Sequence, residues 1–283
     1  MHTEREKAIL EILLREKTVS VHTLAATLYA SEQSIRRDLA RLEKQHLLKR
    51  TYGGASLDEN GTSALKIPFL LREMECADEK AVIGKKAAAL VKDSDVVFLD
   101  ASTSAYNVLP YLTDKRDLLV ITNGIKALQA LSEYGIACIG TGGNVIASCL
   151  AFVGTQAMET VARYNADICF FACRGLSEDG RLTDISEEED AVRQEMVRRA
   201  KRSYMLCTRE RLGKVFYHNI CKAEDLTGII YANREIENAA HLFLKCAAFV
   251  FTDTIAICPS APARRPQDAW QCPLPLSPPS HRC

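Results

Sequence analysis

The stretch 31–57, SEQSIRRDLARLEKQHLLKRTYGGASL, constrains the chain more than any other, because its apolar spacing and paired glycines admit few local folds. The Ser31 hydroxyl can accept from a free amide of a first helical turn. Ile35, Leu39 and Leu42 then recur at helical spacing, which predicts an amphipathic helix with one buried face. The other face carries Gln33, Ser34, Arg36, Arg37, Arg41 and Lys44, polar groups suited to phosphates and base edges in a major groove. Taken alone, such a face is as well explained by solvation as by nucleic acid. Residues 46–55 add a short strand, a tight turn at Gly53-Gly54 and a return, since glycine allows the positive φ of a narrow hairpin. Lys49 and Arg50 stand at the base of this hairpin and Tyr52 near its tip, where each can touch a sugar-phosphate backbone.

The segment upstream completes a pattern. Thr3 and Glu6 have capping-box spacing, and Ile9, Leu10, Ile12, Leu13 and Leu14 form the stripe of a first helix ending near Lys17. Val19 is placed to pair with the later hairpin. Ser20 opens a second short helix with Val21, Leu24, Ala25 and Leu28 inward, and Tyr29-Ala30 turns the chain into Ser31. Two helices joined by a short turn, the second basic and followed by a hairpin, predict a winged helix-turn-helix over residues 1–57. The formal net charge of the 283 residues is zero, so no global field favours nucleic acid. The basic excess is local: between residues 31 and 50, Arg36, Arg37, Arg41, Lys44, Lys49 and Arg50 face only Glu32, Asp38 and Glu43.

No apolar run is long enough to cross a bilayer, and MHTEREKAIL lacks the make-up of a signal peptide, so a cytoplasmic protein without membrane contact is expected. Cys138, Cys149, Cys169, Cys173 and Cys207 lie in or beside apolar segments and read as reduced core thiols. No CxxC spacing occurs, and His22, His46, His218 and His241 are scattered, so neither a metal nor a cofactor is called for.

Polar residues from 58 onward, closed by Pro68, predict a linker over 58–68. One long helix is expected over 69–92, with Lys80, Lys85, Lys86 and Lys92 outward and Val82, Ile83, Ala87, Leu90 and Val91 inward. Strands are then expected at 95–100, 118–123, 136–143, 166–175, 203–208 and 227–234. Helices are expected near 104–112, 124–134, 155–164, 186–202 and 235–245. Such alternation, with nearly continuous apolar strands, predicts an α/β domain over 69–250 built on a mainly parallel sheet. Ligands of such sheets collect beyond the carboxyl ends of strands. Three ends carry hydroxyls, amides or glycines fit for an anion: Asp100, Ser102, Thr103 and Ser104; then Thr122 and Asn123; then Gly142 and Gly143. The acidic run Glu187 to Asp190 is read as complementing the macrodipole of the helix behind Ser186. Arg163 and Arg174 fit either cleft or solvent. One more strand is expected in 247–258, and the Pro-rich tail, 251–283, is expected to be disordered.

Residues 3–57 resemble the DNA-binding domain of the DeoR family of bacterial transcriptional regulators, most tightly at Ile35-Arg36-Arg37-Asp38-Leu39 and Tyr52-Gly53-Gly54-Ala55. FLDASTS, VITNGIKAL, GTGGNVIASCLAFVG and ADICFFACRGLSEDGRLTD resemble the family's effector domain, which is similar in fold to ribose-5-phosphate isomerase and binds phosphorylated sugars. The resemblance implies Ser34, Arg36 and Arg37 as DNA contacts. It implies Asp100, Thr103, Ser104, Thr122, Asn123, Gly142 and Gly143 as effector contacts. The chain departs from the pattern at Ser102, where the family has glycine, and in TRERLG, where Thr208 replaces an aspartate and Arg211 a lysine. A guanidinium can still pair with phosphate. The expectation is therefore a homodimeric or homotetrameric repressor whose grip on a double-stranded DNA operator depends on a phosphorylated sugar, with no catalytic residues. The competing reading is a sugar-phosphate isomerase-like enzyme with an N-terminal interaction module.

Overall fold

A computed structural model describes residues 4–45, 47–57, 68–232, 250–252 and 255–257. The expected linker over 58–68 apart from Pro68, the helix near 235–245, Thr3, His46, His241 and the tail beyond 257 lie outside the described residues.

The N-terminal head contains α1 (Glu4–Glu16), β1 (Thr18–Ser20), α2 (Val21–Thr27), α3 (Glu32–Lys44), β2 (Lys49–Thr51) and β3 (Gly54–Ser56). Ser20 and Ser31 cap α2 and α3 by accepting from the amides of Thr23 and Ser34. Ile9, Leu10, Leu13, Leu24, Ile35, Leu39 and Leu42 are buried together, each helix burying the stripe its spacing set out. Val19 pairs with Ala55 and β3 also pairs with β2, giving the sheet order β1-β3-β2. The hairpin turn falls one residue earlier than expected, on Tyr52-Gly53. Gly53 takes the positive φ of 78°, and Gly54 lies inside β3, where a Cβ would stand 2.3 Å from the Val19 carbonyl oxygen.

The expected helix over 69–92 is two helices, α4 (Phe69–Met74) and α5 (Ala77–Ala88), broken where Cys76 adopts a left-handed φ of 51°. The break resets the helical phase, so that Lys80 joins Ile83, Gly84 and Ala87 on the buried face while Val82 is exposed. Lys80 inside and Val82 outside are thus both corrections. Lys86, expected outward, is half-buried and donates to the carbonyls of Tyr231 and Ala232 at 2.9 and 3.0 Å.

The second domain continues through β4 (Val96–Leu99), α6 (Thr103–Tyr106), β5 (Leu119–Thr122), α7 (Ile125–Glu133), β6 (Ala137–Gly140), β7 (Asn144–Ile146), β8 (Ala151–Val153), α8 (Thr155–Ala162) and β9 (Ala166–Phe171). It closes with β10 (Gly175–Leu176), β11 (Arg181–Asp184), α9 (Glu187–Arg199), β12 (Ala200–Cys207), β13 (His218–Lys222), β14 (Gly228–Tyr231), β15 (Val250–Thr252) and β16 (Ile255–Ile257). The main sheet runs β15-β16-β14-β12-β9-β4-β5-β6, parallel from β14 to β6 and antiparallel at β16 and β15. Two short strands therefore stand where one was expected, and they carry the sheet past residue 250. Sequence periodicity also missed the β7–β8 hairpin and the small β10-β11-β13 sheet, whose strands of two to five residues are too short for an alternation signal.

Phe98, Ile121, Ile168, Phe170, Met205 and Ile230 lie in the buried core of this sheet. Cys149, Cys169, Cys173 and Cys207 are free and buried, as read from their apolar neighbours, and Cys138 is free and half-buried. Strand order reverses between β4 and β9: β4, β5 and β6 run outward on one side, β9, β12 and β14 on the other. That reversal opens a crevice beyond the carboxyl ends of β4 and β9.

Candidate functional site

In the head, Gln33, Arg36, Arg37, Ala40 and Lys44 are exposed along one face of α3. Arg36 reaches Glu32 at 2.8 Å, one turn earlier. Arg37 makes no ion pair among the described residues. The Ser31 and Ser34 hydroxyls lie 2.9 Å apart and serve the cap. Lys49, Arg50 and Tyr52 are exposed on the hairpin; the Arg50 amide donates to Glu43 at 2.9 Å, which ties the wing to α3.

Arg41, also exposed on α3, is engaged within the head. It contacts Glu6 at 3.1 Å and also pairs with Asp38, whose other oxygen takes Arg5. Burial alone would raise the Asp38 carboxyl, but the hydrogen bonds from Arg5 and Arg41 outweigh it and hold it below the usual carboxylate range. Arg41 is therefore a strut between α3 and α1. Glu6 is buried as the other end of this strut. Tyr29, 97% exposed with a φ of 49°, lies in the turn before α3 and was not singled out from sequence. A large aromatic in a helix-turn-helix turn was the available signal.

In the second domain a cavity of about 290 Å³ occupies the β4–β9 crevice, near the lower end of the range for small-molecule sites. Its cationic lining is Arg72, Lys80, Arg174, Arg193, Arg211 and Lys214, and its acidic lining Glu75, Asp184, Glu189 and Glu210. Of the expected effector residues, Ser102, Thr103 and Arg211 line it. Arg211 is held by three acceptors: Thr208 Oγ1 at 3.0 Å, the Cys173 carbonyl at 2.5 Å and Ser104 Oγ at 3.3 Å. Thr208 thus orients the arginine that stands at the lysine position.

Asp100, Ser104, Thr122, Asn123, Gly142 and Gly143 do not line the cavity. Asp100 is buried, accepting from the Ser102 amide and pairing with Arg193 at 2.9 Å. Thr122 accepts from the Gly124 amide, and Asn123 donates to the Phe152 carbonyl. Gly142 and Gly143 lead into β7 and approach the Gln156 side chain and the Val153 carbonyl. The ends of β5 and β6 are thus taken up by the β7–β8 hairpin, while the reversal of strand order places the open crevice on the β9 side.

The missed residues come from elements whose approach only folding defines. Arg72, on α4, has its Nε and Nη2 buried without a hydrogen-bond partner among the described residues. These two donors form one edge of the guanidinium fork, a shape matched by a two-oxygen anion. Lys80 donates to the carbonyls of Arg72 and Glu75. Burial pushes its ammonium down to about 8, and the Arg211 charge acts in the same direction. Arg174 contacts Asp184 at 3.3 Å, so of its two expected settings it takes the cleft.

Below the cavity, Arg193 is buried and meets Asp100, Asp184, Glu189 and Asp190 at 2.9, 3.0, 3.3 and 2.8 Å. Ser186 does cap α9, accepting from the Glu189 amide, but Glu189 and Asp190 point inward to Arg193 as well as complementing the helix dipole. Burial pushes Asp190 up to about 7 against the pull of Arg193. Among the described residues, no cluster of His, Cys, Asp and Glu has the arrangement of a metal site, and no helix is long and apolar enough to cross a membrane.

A winged helix joined to an α/β domain with a charged cavity at its switch point defines a DNA-binding transcriptional regulator with a sensor domain. The chain belongs to the DeoR family: the DeoR-like helix-turn-helix domain matches residues 5–60 and the DeoR C terminal sensor domain residues 75–233. It is 32% identical over 228 residues to the uncharacterized HTH-type transcriptional regulator YulB of Bacillus subtilis, covering 80% of this chain and 87% of that protein. It is 31% identical to the HTH-type transcriptional repressor GlcR of the same organism, covering 80% and 87%, and 29% identical to the L-fucose operon activator of Haemophilus influenzae, covering 82% and 92%. Among solved structures, ribose 5-phosphate isomerase A of Methanocaldococcus jannaschii overlaps 48% of this chain and 54% of its own, with 18% identity and a TM-score of 0.38.

Proposed function

We propose that the protein represses an operon of sugar metabolism and that a phosphorylated sugar in the β4–β9 cavity changes its hold on DNA. The observation that carries this reading is the buried fork of Arg72, whose Nε and Nη2 have no hydrogen-bond acceptor among the described residues although its guanidinium lies over the Phe69 ring, set beside Lys80 and Arg211. Such a group costs free energy until an oxyanion completes it. The acidic lining, with Glu75 and Glu210 across the same cavity, suits the hydroxyls of a sugar and disfavours a bare polyanion. In the head, Gln33, Arg36 and Arg37 on α3 read bases or phosphates. Lys49, Arg50, Tyr52 and Gly53 on the wing follow the backbone. Two such heads in a homodimer or homotetramer would address half-sites ~34 Å apart.

The test is fluorescence anisotropy on fragments of the operon's own promoter across ionic strength, with and without a panel of pentose and hexose phosphates. Affinity should fall steeply with salt and change at least about fivefold with one of the sugars. Turnover of a pentose or hexose phosphate with no duplex binding at low salt would overturn the reading in favour of an enzyme.

A further inference from the structure

Helix α4 lies between the two family matches, which end at residue 60 and resume at 75, yet its six residues take part in both domains. Leu71 is buried in the head's own core with Ile9, Leu10 and Leu13, and Leu70 and Met74 pack against the same core. The next side chain, Arg72, turns the other way and lines the cavity. The Arg72 carbonyl accepts from Lys80 and, at 3.3 Å, from the Thr103 hydroxyl. The Phe69 amide donates to the Ser148 carbonyl at 2.9 Å, and its ring meets Tyr106 edge-on at 5.6 Å. At its far end α4 is capped at Glu75, and the left-handed backbone of the next residue, Cys76, forms a joint with α5.

From this two-sided placement we propose that α4 is the relay between effector and operator, and that Leu71, Leu70 and Met74 are positioning residues acting through Arg72. The proposal rests on the reading of the cavity as a phosphorylated-sugar site. An anion entering the cavity gives the Arg72 fork its missing acceptor. It also offers the Lys80 ammonium an oxyanion to donate to in place of the Arg72 and Glu75 carbonyls. Both changes act on the same short helix, one pulling at its Arg72 side chain, the other loosening the cap on its last carbonyls. A rod about 9 Å long has no length over which to absorb the displacement by bending. The shift is therefore delivered to Leu71, inside a packed core that responds by discrete rearrangement. α1, which α4 packs against, in turn holds α3 through the Glu6–Arg41 and Arg5–Asp38 contacts.

The experiment uses the full chain and two variants, Leu71→Met, which keeps volume, and Leu71→Ala. Three quantities are measured for each: promoter affinity without ligand, affinity for the most stabilising member of the sugar-phosphate panel, and the factor by which that sugar changes promoter affinity. In the native chain the factor is expected between about 5 and 150, and the promoter should change sugar affinity by the same factor. In Leu71→Ala the two separate affinities should stay within about threefold while the factor collapses toward one, with Leu71→Met in between. A Leu71→Ala chain that binds both ligands with the native factor would overturn the relay. Amide exchange on the native chain gives a second measurement that needs no variant. The sugar should alter protection in 69–74 and in α1, and a change confined to residues beyond 95 would also overturn it. A native chain that binds no member of the panel would instead remove the sugar-phosphate reading itself, and the relay with it.

Discussion

Replacing Arg193 by methionine, which keeps most of the volume and removes the charge, is the sharpest test of the sensor domain's interior. Arg193 is 4% exposed and its guanidinium meets four carboxylates within 3.3 Å. Breaking a buried pair by removing one partner costs about 3 to 5 kcal/mol, because the other charge is left desolvated. Here Asp100, Asp184, Glu189 and Asp190 all lose their shared cation, although Arg174 still serves Asp184 at 3.3 Å. At ~2 to 4 °C per kcal/mol for a domain of this size, the sensor-domain transition should drop by roughly 6 to 20 °C in a thermal scan at pH 7.5. The deficit should narrow toward pH 5. Burial already pushes Asp190 up to about 7, and without Arg193 the pull that opposes it is gone, so the folded variant holds a proton there that the unfolded chain releases, and its stability rises as pH falls. Adding Asp190→Asn to the variant should recover part of the loss, because the burial that pushes Asp190 up to about 7 then strands one charge fewer. A transition within about 2 °C of the native one at both pH values would refute the claim that this arginine holds the cavity floor together.

Other consequences divide between the head and the cavity. Arg37→Ala should cost about 1 to 3 kcal/mol of operator binding with unchanged thermal stability and, if the side chain reads a base, relaxed preference at one position. Arg41→Ala should instead lower the head's melting temperature, since Arg41 is committed to Glu6 and Asp38; equal behaviour of the two variants in paired melting and binding assays would contradict the assignment. Gly54→Ala should disrupt the wing, because a Cβ would lie 2.3 Å from the Val19 carbonyl oxygen. Gly53→Ala should cost only about 1 to 3 kcal/mol of backbone strain, and comparison of operator affinities would distinguish the two. Lys80, held at about 8 among Glu75, Glu210 and Arg211, gains a partner when an anion binds, so its pKa rises in the complex. Sugar-phosphate affinity should be full below pH 8 and weaken above it by up to about tenfold per pH unit, a slope absent from Lys80→Met. A flat profile for the native chain in calorimetric titrations from pH 7 to 9.5 would place the anion elsewhere.

The sequence by itself determined the head. Its helices, caps and pairing of Val19 with the hairpin depend on spacing within a few residues, and Ile35, Leu39, Leu42 and Ser31 stand where their periodicity put them. The strand and helix alternation of the second domain was legible for the same reason, since each apolar run is one element. Tertiary structure alone decided where the cavity lies. Asp100, Thr122 and Gly142 mark strand ends equally well in the sequence, but only the order β9-β4-β5 leaves the crevice at the first of them and covers the others with a hairpin. It also decided which charges count. Arg41 and Arg193 carry the same chemistry as Arg37 and Arg72, and what separates a strut from a fork lacking acceptors is the set of groups brought opposite each one from distant parts of the chain. A left-handed Cys76 turned Lys80 inward, an event of one backbone angle that apolar periodicity cannot register.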